Sequence, residues 1–125
     1  MEIKNLFLVK FEKDNSTQLM TDSGLAYYRE RPKWYGELTV IEELGKLWPK
    51  NATVVETASG SGRCYVWKNY RITADEKLNE QDMRIIRVQY GFLRGQRTAD
   101  VNLNSFKEEN GKFVYEAFSE CDSGD

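Results

Sequence analysis

The sequence predicts an α+β fold in which an antiparallel sheet of five or six strands packs against one main helix near residues 39–48. Three observations support this class: apolar residues alternate with a period of two in several segments, a capping pattern precedes one helical apolar repeat, and an Asn-Gly pair marks a C-terminal hairpin. The 125 residues suit one domain. We predict that this domain spans residues 1–118 and that residues 119–125 form a short acidic tail that frays.

The first strand is predicted at residues 2–11, where apolar side chains occupy both faces. The main helix is predicted to begin at Thr39, because Thr39 and Glu42 match a capping box in which hydroxyl and carboxylate accept hydrogen bonds from free backbone amides. Pro49 ends it. The apolar residues of this segment recur at helical spacing: Leu38, Ile41, Leu44 and Trp48.

The rest of the chain is typical of strands and turns. Thr73 and Glu76 match a second capping box, so the acidic stretch 74–82 is predicted to be a loop or a short helix. Asn110-Gly111 is the strongest hairpin signal, because both residues tolerate a positive φ, and it closes a predicted C-terminal meander. The predicted strands after residue 52 are 53–57, 63–73, 83–92, 98–106 and 112–118.

The composition excludes several classes of enzyme. The chain has no histidine, which rules out a Ser-His-Asp or Cys-His nucleophile system, a histidine-bearing zinc centre and a histidine general base within one chain. We therefore predict no catalytic residue, no metal site and no cofactor. One alternative stays open: a histidine-free site for phosphate chemistry, with Glu56 near Arg63, Arg71 or Arg87 on adjoining strands.

The expected compartment follows from apolar runs and cysteines. The longest apolar run near the N-terminus is four residues, Leu6 to Val9, which is too short for a secretory signal or a membrane span. Cys64 and Cys121 lack the spacing of a redox pair or a zinc knuckle. We expect a cytoplasmic protein with free thiols and no membrane partner.

One face of the predicted strand 63–73 has unusual chemistry. Cations, aromatic rings and an amide alternate on it, and such rings and guanidinium groups stack on bases and pair with phosphate or carboxylate. Exposed strands also carry these residues for ordinary reasons, and Trp67 would be core if residues 25–35 cover it. The ligand-binding residues of this hypothesis, including those on the next predicted strand and its turn, are Arg63, Tyr65, Trp67, Asn69, Arg71, Arg87, Gln89, Arg94 and Arg97.

Charge is segregated along the chain. The 18 basic and 20 acidic residues give a net charge of −2. Residues 1–50 are neutral, residues 51–104 carry +2 and residues 105–125 carry −4. A basic sheet with an acidic tail indicates either an anionic partner for the sheet or a tail that shields it. The sequence pI of about 5.3 disfavours a general nucleic-acid binder.

A second cluster combines aromatic rings with arginines between residues 27 and 35. Tyr, Trp and Arg anchor protein interfaces, because they bury much area for few rotatable bonds. The equally acceptable interpretation is that some of these rings pack on the helix as core. The protein-interface residues of this hypothesis are Tyr27, Tyr28, Arg29, Arg31, Trp34 and Tyr35.

These observations predict a non-catalytic binding protein whose partner is another protein or a ribonucleoprotein. Its small size and lack of cofactor motifs are typical of inhibitors and adaptors made by phages and mobile elements. The alternative is a nucleotide or single-stranded nucleic-acid binder, including an RNA-binding protein, that uses one strand face: Arg63, Tyr65, Trp67, Arg71 and Arg87.

Overall fold

The computed structural model describes residues 2–90 and 100–122, and it describes side chains for all of these except residue 100 and residues 120–122. The chain divides into two compact units, Met1–Trp48 and Pro49–Asp125. Each unit combines an antiparallel sheet with helix, which confirms the predicted α+β class. That residues 1–118 form one domain stays a prediction.

Unit 1, Met1–Trp48, is a three-stranded sheet covered by two helices. The central strand of this sheet lies within residues 2–11, which confirms the predicted first strand. Its apolar residues contribute to the core. Val9, Phe11, Met20 and Leu25 are buried together there. The elements are β1 (Asn5–Phe11), β2 (Ser16–Thr21), α1 (Asp22–Arg29), α2 (Pro32–Tyr35) and β3 (Leu38–Lys46), and the sheet order is β2-β1-β3.

The predicted main helix at residues 39–48 is wrong, because residues 38–46 form β3 and residues 47–48 lie outside any helix. Leu38 and Val40 pair with Phe11 and Val9 of β1 as strand neighbours. Two register shifts leave Ile41 and Leu44 without Cα partners on β1. These interruptions break the period of two and produce an apolar spacing of three that resembles a helix.

The predicted capping box at Thr39 does not form either. The Thr39 hydroxyl instead donates a hydrogen bond to Glu12 Oε1, and Glu12 lies in the turn that connects β1 to β2. This hydrogen bond lowers the pKa of Glu12, with a smaller contribution from Lys10. A β-branched run, Thr39-Val40-Ile41, suits a strand better than a helix because its side chains are restricted at χ1.

Unit 2, Pro49–Asp125, contains the second antiparallel sheet and the longest helix of the described residues. Its elements are β4 (Thr53–Ser61), β5 (Tyr65–Ala74), α3 (Glu80–Tyr90), β6 (Asp100–Val101), β7 (Lys107–Glu109) and β8 (Lys112–Asp122). The sheet order is β4-β5-β8-β6, with β7 also paired to β8. Predicted strands 53–57, 63–73 and 112–118 correspond to β4, β5 and β8.

The predicted strand at residues 83–92 is wrong, because residues 80–90 form α3. Buried positions recur there every three or four residues, which is the period of an amphipathic helix. The apolar residues at 86, 88 and 90 alternate, but Ile86 alone is fully buried among them. The buried residues of α3 are Asp82, Met83, Ile85, Ile86 and Gln89.

The start of α3 is held by a capping box at residues that the sequence interpretation did not select. Asn79 Oδ1 accepts a hydrogen bond from the Asp82 amide at 2.8 Å, and Asp82 Oδ2 accepts one from the Asn79 amide at 3.1 Å. Lys50 Nζ donates to the same Asp82 oxygen at 2.6 Å, which raises the pKa of Lys50. The predicted capping residue Thr73 instead lies in β5.

The C-terminal strands differ from the predicted meander. The predicted strand 98–106 reduces to β6, Asp100–Val101, within the described residues. β5 pairs with β8 rather than with the next strand in sequence. β8 continues to Asp122, so residues 119–122 belong to the sheet and not to a frayed tail. The Asn110-Gly111 turn is confirmed, with φ of 52° and 77° between β7 and β8.

We expect the Asp82→Ala variant to lower the free energy of unfolding by about 1–3 kcal/mol, because it removes the cap of α3 and leaves Lys50 without its carboxylate. Urea unfolding followed by circular dichroism measures this change. The Gln81→Ala variant, at the exposed neighbouring position, should stay within about 0.5 kcal/mol of the wild type. Equal effects of both variants would contradict the role of Asp82.

A pH dependence follows from Asp75, which accepts hydrogen bonds from Lys112 and from Asn51 Nδ2, the latter at 2.9 Å. The Lys112 hydrogen bond is the main cause that lowers the pKa of Asp75 in the folded protein. The stabilisation is therefore present above the unfolded pKa of about 4 and is lost as the pH falls through the lowered folded pKa.

We expect Asp75→Asn to be less stable than the wild type at neutral pH, with the difference disappearing on acidification below the folded pKa. Unfolding curves collected between about pH 2 and 7 measure this difference. Lys112→Gln replaces the charged donor with a neutral amide and should flatten the same part of the pH profile. A constant difference at all pH values would contradict the linkage.

Candidate functional site

Three tyrosine rings of unit 1 form a contiguous cluster, which we call the tyrosine cluster: Tyr27, Tyr28 and Tyr35. Tyr28 and Tyr35 meet edge to face with ring centroids 4.6 Å apart, and Tyr27 and Tyr28 do so at 5.4 Å. Tyr28 also contacts the core residue Phe11 at 5.3 Å. A side-chain hydrogen bond with Tyr27 raises the pKa of Tyr35. The cluster thus joins the surface to the core.

Two short helices place this cluster. Thr21 caps α1, because its hydroxyl oxygen accepts a hydrogen bond from the Gly24 amide, and Leu25 anchors the helix in the core. α2 begins at Pro32, where a missing amide proton has no consequence, and Gly36 follows it with φ of 72°. Arg31, the residue before the proline, is in neither helix, as expected from its position.

Arg31 connects α2 to α1, because its carbonyl oxygen accepts hydrogen bonds from α2 and its side chain contacts α1. Its guanidinium lies over the Tyr27 ring, 3.8 Å from the centroid, and Nη1 donates a hydrogen bond to the Tyr27 carbonyl oxygen at 2.9 Å. The adjacent Glu30 carboxylate is 3.7 Å from the guanidinium. A stacked and hydrogen-bonded guanidinium loses little further freedom when a partner binds.

Trp34 is the most exposed large hydrophobic residue among those described, with 74% of its surface accessible. Its backbone is held, because Lys13 Nζ donates to the Trp34 carbonyl oxygen at 3.4 Å and the Trp34 amide bonds to Arg31. Arg29 and Lys33 are exposed on the same two helices. We call the exposed and half-buried aromatic and basic side chains of this region the aromatic–arginine surface: Tyr27, Tyr28, Arg29, Arg31, Lys33, Trp34 and Tyr35.

The predicted faces of β5 are observed. Tyr70, Ile72 and Ala74 are buried on one face, while Tyr65 and Arg71 are exposed on the other. Asn69 and Trp67 are half-buried on this second face. The ring of Tyr90 in α3 meets Tyr70 edge to face at 5.6 Å, so α3 contacts the buried face. We call the opposite face of the sheet the Trp67 face.

Gly60 of β4 and Gly62, just after β4, explain the position of the aromatic rings on this face. Gly60 pairs with Trp67 across the strands, and a Cβ at Gly60 would lie 2.6 Å from the indole. A Cβ at Gly62 would likewise collide with the Tyr65 ring. Each ring therefore packs on glycine backbone, at positions of this edge of the sheet where no side chain occupies the space. The glycine-rich segment 58–63 is accordingly a β-hairpin end in the structure.

Arg71 on the Trp67 face is paired with a carboxylate. Arg71 Nε lies 3.1 Å from Glu116 Oε1, and the two residues are direct neighbours on β5 and β8. Arg63 is exposed at the turn that connects β4 and β5. Glu56 lies on the opposite face beside Tyr70 and contacts Lys68 at 3.5 Å. The structure therefore does not bring Glu56 and Arg71 together for phosphate chemistry.

Two predicted members of this surface lie elsewhere. Arg87 and Gln89 were expected on a neighbouring strand, but both belong to α3, which contacts the other face of the sheet. Gln89 is buried, and Arg87 Nε is buried without a hydrogen-bond partner in the described part of the chain. Arg94 and Arg97 lie outside the described residues.

Two residues of the Trp67 face were missed from the sequence. Val55 pairs with Arg71 and is 57% exposed, and Phe118 pairs with Asn69 and is 41% exposed. Phe118 comes next to β5 through a pairing that spans almost 50 residues of sequence. No local sequence pattern predicts such a neighbour. The exposure of Val55, in contrast, follows from the alternation of side chains between the two faces of a strand.

Other kinds of site find no support among residues 2–90 and 100–122. This part of the chain contains no group of three potential metal ligands, and none of its helices has the length and apolar character to cross a membrane. Cys64 is an exposed free thiol. Searches with family models, among curated proteins and among solved structures find no match to this chain.

We expect Gly60→Ala to destabilise the protein by about 1–3 kcal/mol, because its Cβ must displace the Trp67 ring from the backbone. Thermal or urea unfolding measures the loss. Ser59→Ala, at the exposed neighbouring residue, is the matched control and should change stability by less than about 0.5 kcal/mol. A neutral Gly60→Ala would show that the ring does not pack on Gly60.

Proposed function

We propose that this chain is a non-catalytic binding protein that recognises another protein through the aromatic–arginine surface. The single observation that carries this proposal is the Trp34 side chain, an indole left 74% exposed on a held backbone. Exposing an indole to water is costly, and tryptophan is among the residues that contribute most at protein interfaces. A partner pocket that takes up this ring would recover that free energy.

The surroundings of Trp34 support a rigid anchor. Arg31 is stacked on Tyr27, and Tyr35 packs against Tyr28, so the residues around the indole are already ordered. Binding then costs less side-chain entropy than it would on a mobile loop. Rigid aromatic anchors in an ordered surface are the arrangement that supplies most of the affinity in small interfaces.

The charges around Trp34 indicate the chemistry of the partner. Arg29 and Lys33 lie on the two helices that carry the rings, Arg31 lies between these helices, and Glu30 is the acidic residue of this segment. The local excess of positive charge favours a partner that places carboxylates around an apolar pocket. A protein of this size acts on such a partner by occupying its surface, as inhibitors and adaptors do. The phage or mobile-element origin expected from composition stays a prediction.

Single-stranded nucleic acid is the weaker candidate partner. The proposed platform needs free cations beside the rings, but Arg71 is engaged by Glu116 and Arg87 belongs to α3. Phosphate recognition depends on an excess of unpaired positive charge. The half-buried Trp67 ring keeps a stacking surface, and salt-sensitive binding of a labelled oligouridylate that Trp67→Ala removes would favour this alternative.

We expect Trp34→Ala to abolish capture of the partner while leaving the fold intact, because the indole contacts mostly solvent. Immobilised full-length protein is compared with the variant in quantitative affinity capture from cells that encode it. Proteins of the proposed class should be enriched on the wild type and reduced at least about tenfold on Trp34→Ala. Unfolding free energies of the two should agree within about 0.5 kcal/mol.

Ile41→Ala is the matched control, because Ile41 is also an exposed hydrophobic residue of unit 1 but lies on β3, away from α2 in the sequence. It should retain the captured proteins. An unchanged set of captured proteins on Trp34→Ala, or an equal loss on both variants, would rule out the role given to the aromatic–arginine surface.

A further inference from the structure

The tip of the β7–β8 hairpin joins an asparagine to a glycine in an open position. Asn110 and Gly111 are both exposed, with φ of 52° and 77°. They lie outside the ladder, because Glu109 and Lys112 form its last pair. A Cβ added at Gly111 would meet no atom within 4 Å beyond its chain neighbours. The peptide bond between Asn110 and Gly111 is therefore sterically accessible.

We propose that Asn110 is a site of spontaneous deamidation. The Gly111 backbone nitrogen attacks Cγ of the Asn110 side chain, and the new C–N bond closes a five-membered succinimide ring. The side-chain nitrogen leaves as ammonia, which takes up the proton of the attacking amide. Water then opens the ring at one of its two carbonyl groups, which leaves aspartate or isoaspartate at position 110. Water is the only co-reactant, and the aromatic–arginine surface takes no part.

The backbone amide that follows the asparagine distinguishes position 110 from similar positions. Three asparagines with a positive φ are found among the described residues: Asn15, Asn51 and Asn110. After the first, the Ser16 amide donates a hydrogen bond to Asp14 Oδ1 at 3.0 Å. After the second, the Ala52 amide donates one to the Pro49 carbonyl oxygen at 3.0 Å. The Gly111 amide has no such acceptor within the described part of the chain, so its nitrogen is free to attack.

Steric crowding favours the same position. Ser16 and Ala52 each carry a Cβ next to the attacking nitrogen, whereas Gly111 carries none and allows close approach. The side chain of Asn51 is also held, because its Nδ2 donates a hydrogen bond to Asp75 Oδ2 at 2.9 Å. Position 110 therefore combines the least crowded nitrogen with a side-chain amide that no other described residue engages.

The hairpin tip can open while the rest of the sheet stays folded. β7 has three residues, all of them exposed, and β8 keeps its separate ladder with β5 when β7 detaches. Short exposed elements of this kind open at a free energy far below that of global unfolding. Opening frees the backbone dihedral angles of residue 110 for closure of the succinimide ring.

Both products change the hairpin. The new carboxylate follows Glu108 and Glu109, and it lies two residues before Lys112, whose side chain is bound to Asp75. It therefore competes with Asp75 for this lysine. Isoaspartate also adds one main-chain atom to the turn, which disrupts the register between Glu109 and Lys112.

Incubation of the folded full chain at neutral pH and physiological temperature, followed by peptide mapping with mass spectrometry, tests this proposal. Cleavage after lysine and arginine places Asn15, Asn51 and Asn110 on separate peptides. Conversion replaces an NH₂ group by an OH group in the mass, and the isoaspartate peptide elutes separately from the aspartate peptide. We expect conversion at Asn110 to be at least about tenfold faster than at Asn15 or Asn51. The rate should rise with pH, because the attacking amide must lose its proton.

Two controls separate the chemistry of the turn from global unfolding. Gly111→Ala places a methyl group beside the attacking nitrogen and should slow conversion at residue 110 at least about tenfold. Circular dichroism checks that this variant is folded, because its alanine must adopt a positive φ. In concentrated urea the hydrogen bonds of the Ser16 and Ala52 amides are lost, so conversion at Asn15 and Asn51 should become faster than in the folded chain.

Three outcomes would overturn the proposal. The first is an intact amide at residue 110 of the folded protein throughout the incubation, which would show that the turn protects it. The second is conversion at Asn15 or Asn51 of the folded wild type at the same rate as at Asn110, a comparison that needs no variant. The third is an unchanged rate in folded Gly111→Ala, which would exclude attack by the backbone nitrogen.

Discussion

The antiparallel pairing of β5 with β8 is the constraint on which the rest of unit 2 depends. It sets Ile72 beside Tyr115 in the core and, one residue away, Arg71 beside Glu116 on the Trp67 face. The same ladder therefore builds the buried face and gives Arg71 a carboxylate partner on the exposed one. Because Arg71 and Glu116 are 45 residues apart, the closing entropy of a long loop opposes this pairing until many contacts form together.

The sequence correctly predicts those features that depend on a single strand. The two faces of β5 were predicted correctly, because side chains alternate along any extended backbone and Tyr70, Ile72 and Ala74 are apolar at every second position. The neighbours of β5 were not predictable in the same way. Phe118 and Glu116 come beside it through β8, and pairing between distant strands depends on the free energy of the whole sheet.

The two errors in secondary structure have one physical cause. Thr39–Glu42 and Asn79–Asp82 both match the pattern of a capping box, yet only the second forms one. What separates them is tertiary contact: β1 offers strand pairing to residues 38–46, and Lys50 adds a third hydrogen bond at Asp82. A short apolar pattern fits either period, so packing decides between helix and strand.

The arginines show why net charge along a sequence does not map onto a surface. Arg31 rests on the Tyr27 ring, which keeps its charge available beside Trp34. Arg71 is neutralised by Glu116, and Arg87 belongs to a helix that contacts the other face of the sheet. Arginines therefore contribute differently in the two units: in unit 1 they make an aromatic surface cationic, whereas on β5 the charge of Arg71 is balanced by a carboxylate on β8. A cationic surface favours an acidic partner, whereas an arginine that is already paired adds little to the attraction of an anionic one.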